Sequence, residues 1–71
     1  MKWQEVRELF PHQFVLVAIL DYHVVEDTKI VDEMAPIRAI SDYDANKEFF
    51  RVKSGEMVYH TTKKDFIIYL Y

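Results

Sequence analysis

The longest oily stretch of the chain runs from Phe14 to Leu20, where Phe14, Val15, Leu16, Val17, Ile19 and Leu20 are interrupted only by Ala18. A run dense in β-branched and aromatic residues, without Gly or Pro, predicts a strand buried on both faces. Past Leu20 the pattern changes to alternation, with Asp21 and His23 on one side and Leu20, Tyr22 and Val24 on the other. That period of two, with one wet face, predicts an antiparallel strand leaving the covered part of the core. The polar break Glu26-Asp27-Thr28-Lys29 predicts a tight turn, and about Lys29–Ser41 a return strand. Pro36 has no N–H for a ladder, so the return strand is expected both at a sheet edge and bulged near Met34–Pro36.

Two short amphipathic segments flank this hairpin. In residues 2–10, Trp3, Val6, Leu9 and Phe10 fall on one helical face, while Gln4, Glu5, Arg7 and Glu8 make the wet side. Pro11 ends that helix. Nine residues do not hold a helix alone in water, so it must dock, with Trp3 and Leu9 as anchors. Ser41, with Asp44 three residues on, approximates a capping box, and Asp42 is the other candidate cap. A second helix through Ala45, Phe49 and Val52, widened by Phe50, then reaches Gly55, the only glycine, at a position suited to a left-handed helix end. Glu56–Thr61 and Phe66–Tyr71 read as a second strand pair around a turn at Thr62–Asp65.

The order α-β-β-α-β-β is an α+β pattern. A right-handed crossover would set the third strand beside the first. The expected fold is a two-layer α/β sandwich, with a four-stranded antiparallel sheet in the order 2-1-3-4 and both helices on one face. Residues 1–71 leave room for a single domain, which buries only about 60% of its unfolded surface.

Composition narrows the function. Half of the residues are apolar, with five Phe, five Tyr and one Trp, too hydrophobic for a disordered chain. A sheet covered on one face leaves the other half apolar, and exposed apolar faces mark interfaces. Self-association is therefore expected, as a dimer, through Tyr22, Tyr59, Phe66, Ile68, Tyr69 and Tyr71. The net charge of −3 and the scattered basic residues argue against duplex binding. The absence of cysteine suits a reducing compartment, and no apolar run approaches the roughly 20 residues of a membrane span. A soluble cytoplasmic protein is the expectation.

Chemistry finds little purchase. His12 sits in the loop after Pro11. If the first and third strands are neighbours, His23 and His60 come close, and with Asp21 or Asp32 they form a conceivable metal or acid–base set. The spacing matches no ligand motif, and surface roles outweigh it. His60-Thr61-Thr62 is similar to one half of the paired H-x-T elements of small phosphoesterases, which need two. Glu26, Asp27, Asp32 and Glu33 cluster round the turn, as solvated turn residues do. No glycine-rich loop, activated serine or cofactor signature is present, so no catalytic, cofactor or metal residue is assigned. Stacking of nucleic-acid bases on exposed rings lacks the interleaved basic residues of single-strand binders.

Trp3-Gln4-Glu5-Val6-Arg7-Glu8-Leu9-Phe10-Pro11, Gln13-Phe14-Val15-Leu16-Val17, Lys29-Ile30-Val31-Asp32-Glu33-Met34-Ala35 and Val58-Tyr59-His60-Thr61 resemble a group of small bacterial proteins. That group opens with W-x-E-V-R-x-L-Y-P, continues with Q-W-V-L-V and ends with V-x-H-T. Phe10 and Phe14 replace the more usual Tyr and Trp, and the segment after the second helix is shorter here. The resemblance implies a single bacterial cytoplasmic domain and carries no activity or site residue. The residues together point to a non-enzymatic, self-associating protein-interaction module with an unidentified protein partner, as an accessory or antitoxin-like protein has. The alternative is a binder of a small ligand or single-stranded nucleic acid on an aromatic sheet face.

Overall fold

In the computed structural model, which describes residues 1–70, the elements are α1 (Trp3–Leu9), β1 (Phe14–Val25), β2 (Thr28–Ile40), α2 (Ala45–Phe49), β3 (Glu56–His60) and β4 (Ile67–Tyr69). The four strands form one antiparallel sheet in the order β3-β1-β2-β4. The fold is α+β. β1 lies between β2 and β3 as the oily run requires, but β4 pairs with β2 and not with β3, which corrects the order 2-1-3-4. Strands β3 and β4 are therefore not a hairpin. The chain between them crosses the sheet, held by the Trp3 indole Nε1, which donates to the Lys63 carbonyl at 2.8 Å.

The hairpin is staggered. β3 covers only Phe14–Ala18 of β1, and β4 covers only Thr28–Ile30 of β2. Pro36 thus sits on a strand that is internal in the sheet order, yet on a stretch that β4 leaves uncovered. Opposite Leu16 and Val17 the partner steps from Arg38 to Pro36, so Ile37 is the extra residue of a bulge beside the proline. Two more slips follow, at Leu20 of β1 and Asp32 of β2.

The helices lie on opposite faces. Trp3 and Val6 of α1 pack with Val15, Val17, Val31, Met34 and Phe66. Ala45 of α2 packs with Leu16, Ile40 and Val58. Val15 and Val17 point one way along β1 and Leu16 the other, because successive strand side chains alternate. Two small cores result, one on each side of the sheet, in place of the two-layer arrangement with both helices on one face. Helix α1 is anchored by Trp3 and Val6 while Leu9 is exposed, so the docking residue on the second turn is Val6 and not Leu9. Its first turn is closed by Lys2 N–H donating to Glu5 Oε1 at 2.9 Å. Helix α2 is a single turn and a half. Ser41 starts the turn before it, its Oγ accepting the Asp44 N–H at 3.2 Å, and Phe49 and Phe50 stay largely exposed. Gly55 has the expected positive φ, +82°, but α2 stops at Phe49, short of Val52, so the glycine serves the turn into β3 and not the end of the helix.

Candidate functional site

Two surfaces stand out, and both are sheet edges. The first is the far half of the hairpin. Beyond Ile19, whose N–H still reaches the Gly55 carbonyl at 2.7 Å, nothing flanks β1 on the side away from β2 among the described residues. The direction of the main-chain groups follows from the pairing. Val31 N–H is given to Phe66, so the odd positions of β2 near the tip turn toward β4 and the even ones toward β1. Ile30 and Thr28 then exchange bonds with His23 and Val25, their opposite residues. Tyr22 and Val24 lie between and turn their N–H and C=O groups outward. Asp21 Oδ1 accepts the Tyr22 N–H at 2.9 Å, a local cover on one of these donors.

The side chains here are apolar and exposed, with Leu20, Tyr22, Val24 and Val25 between 47% and 61% accessible. The rim is acidic: between residues 20 and 33, Asp21, Glu26, Asp27, Asp32 and Glu33 face a single basic residue, Lys29. Lys29 Nζ lies 4.0 Å over the Tyr22 ring, a cation–π contact that holds that ring on the sheet. His23 Nδ1 is 2.7 Å from Asp32 Oδ2. The Asp32 partner named from the sequence is thus real, but His60 is not near. It stands opposite Phe14 at the other end of β1, so the His23–His60 set does not assemble. Among the described residues no cluster of three or more His, Asp or Glu side chains is placed to hold a metal ion.

The second surface runs between α2 and the outer edge of β3. A groove of about 260 Å³ there is lined by Phe14, Phe49, Val58, His60 and Lys63 among others, without a carboxylate. The His60 ring meets Phe14 edge-on at 4.5 Å, and its Nδ1 is 2.7 Å from Thr62 Oγ1. Thr62 N–H also donates to that nitrogen at 3.2 Å, which makes the His60-Thr61-Thr62 element a self-contained turn. The surroundings are basic: over residues 45–64, Lys47, Arg51, Lys53, Lys63 and Lys64 outnumber Glu48 and Glu56.

The residues named from the sequence as an interface divide. Tyr22 and Tyr69 are exposed, whereas Tyr59 and Ile68 are half-buried. Phe66, at 3% exposure, is part of the core and stacks on Tyr59 with ring centroids 4.3 Å apart. It is therefore already covered within one chain. Tyr71 lies outside the described residues. Sequence reasoning missed Leu20, Val24 and Val25 as surface. The signal was available in the alternation after Leu20, but one face was assumed covered. It also missed the α2–β3 groove, which no local pattern encodes. No family model, curated protein or solved structure matches this chain.

Proposed function

We propose that this chain is a non-enzymatic protein-interaction module of the cytoplasm that self-associates through its sheet, serving as an accessory or antitoxin-like partner of another protein. The observation that supports it is the bare hairpin tip, where four large apolar side chains and two outward-turned backbone positions lie exposed on one strand. Edge strands with apolar side chains pair with other chains unless something blunts them. The mass of the chain in solution tests this reading, by light scattering across a concentration series. A mass that rises above the 8.6 kDa chain with concentration supports it. A single-chain mass up to millimolar concentration ends it.

A second reading is favoured by the carboxylate-free groove beside Lys63 and His60. There an apolar ligand with an anionic end, or a single-stranded nucleic acid using the nearby Phe49 and Phe50 rings, would find complementary surface. A thermal-shift panel of aryl and alkyl carboxylates and of short oligonucleotides separates this reading from the first.

A further inference from the structure

We infer that the partner of the bare β1 edge is the β3 edge of a second copy, each chain inserting its β3 into the step left open on the other. This deepens the self-association reading and rests on it.

The edge of the sheet has a step in it. β1 has 12 residues, β3 flanks only Phe14–Ala18, and Ile19 is the last residue tied to the β3 side. Leu20–Val25 remain open. β3 itself is 5 residues long, so the open stretch is long enough to take a second copy of it. A two-fold axis normal to the sheet, set at the corner of the step, brings β3 of the second copy alongside Leu20–Val25 of the first. The same rotation brings the second copy's Leu20–Val25 alongside β3 of the first. Both gaps close at once, in one isologous contact.

The main chain is ready on both strands. Gly55 accepts from Ile19 and Thr61 donates to Gln13 at 2.9 Å, so odd positions of β3 turn toward β1. Glu56, Val58 and His60 therefore turn outward, to meet Tyr22 and Val24 of the other copy. β3 runs against β1, and the rotated β1 also runs against β1, so the two new neighbours are parallel. Parallel pairing bonds each outward residue to two outward residues across the gap, and side chains level with one another share a face. Tyr22 and Val24 point to the α1 side, as do Met57 and Tyr59. His23 and Val25 point to the α2 side, as does Val58, which sets Val25 over the groove beside Phe49.

Charge complementarity supports this arrangement. In the parallel sense the chain leaves β1 at the turn Glu26-Asp27, level with the point where β3 ends and Lys63-Lys64 follow. The acidic turn of each copy reaches the basic corner of the other, twice per dimer. The Asp21 carboxylate that covers the Tyr22 N–H is exchanged for a carbonyl of β3 when the copies meet.

Charge reversal tests the contact. Glu26→Lys/Asp27→Lys and Lys63→Glu/Lys64→Glu variants are made, each shown folded by circular dichroism, and their masses are followed by light scattering. Each variant alone is expected to dimerise at least about tenfold more weakly than the unaltered chain. An equimolar mixture of the two restores a dimer of twice 8.6 kDa, because the reversed turn then meets the reversed corner and the native turn meets the native corner. Zero-length carbodiimide coupling of a mixture of ¹⁴N and ¹⁵N chains is expected to join Glu26 or Asp27 of one copy to Lys63 or Lys64 of the other. If the unaltered chain dimerises while both variants do so equally well alone, the step-in-step contact is wrong and self-association stands. If the unaltered chain is a monomer throughout, both fall. Dimers of each variant that do not exchange on mixing also overturn the inference.

Discussion

Val17 and Val24 are the same residue on the same strand, yet Val17 is wholly buried and Val24 is 54% exposed. Around Val17 the strand has β3 on one edge, β2 on the other, and a helix against each face nearby. Around Val24, among the described residues, it has only β2. The difference lies in what the rest of the chain places over each end of the hairpin, since the two ends are about equally rich in apolar residues. A 71-residue chain has enough cover for one half of a long hairpin, and it spends α1, α2 and β3 on the same half. Stability is thus expected to concentrate at the covered end and recognition at the bare end.

Truncating the covered end should show the largest effect. Met34→Ala, which empties a fully buried position opposite Ile19, is expected to cost about 2–5 kcal/mol by urea denaturation. A cost near zero would mean that the covered end is not the stable one. Next, Trp3→Phe keeps a ring in the core but strips the donor from the Lys63 carbonyl, for a loss of about 1–3 kcal/mol. The α1 face should loosen with it, read as faster amide exchange in residues 61–66. At the bare end, Glu26 holds φ at +55°, a conformation that a side chain strains. Glu26→Gly should therefore raise the melting temperature slightly, by about 0.5–1 kcal/mol of stability, and a fall would show that the turn is not strained. Smallest of all, Val24→Ala should change the stability of the single chain by less than about 0.5 kcal/mol while weakening self-association. If it instead destabilises the monomer as a core substitution does, the contrast between the two ends is false.

Much of the architecture was legible in local pattern. The hairpin, the short helix before Pro11, the turn at Ser41, the left-handed Gly55 and the distortion near Pro36 each follow from a few adjacent residues whose chemistry allows few conformations. The order of the strands did not follow, because it depends on where α2 leaves the chain. That helix docks through Ala45 on the Leu16 side of the sheet, while the crossing from β3 to β4 is fixed by a hydrogen bond between residues 3 and 63. Neither choice is written in any window of neighbouring residues. The candidate surface was half legible. Tyr22 was singled out correctly as an exposed ring, whereas Phe66 looked the same in sequence and is buried under Trp3 and beside Tyr59. Aromatic content alone does not say which rings the sheet will cover. The stepped edge could not be read at all, since it is a property of how far two strands overlap.

Trp3 touches Tyr59 and Phe66 edge-on at 5.4 and 5.0 Å on the α1 side only, and no other tryptophan exists in the chain. Its fluorescence is consequently a one-sided gauge. Emission will follow the melting of the layer that α1 protects and stay silent about Leu16, Ala45 and Val58 beneath α2. Should the two layers let go at different denaturant concentrations, the optical curve and the amide-exchange map will part company, and the gap between them will measure how tightly a single thin sheet couples its two sides.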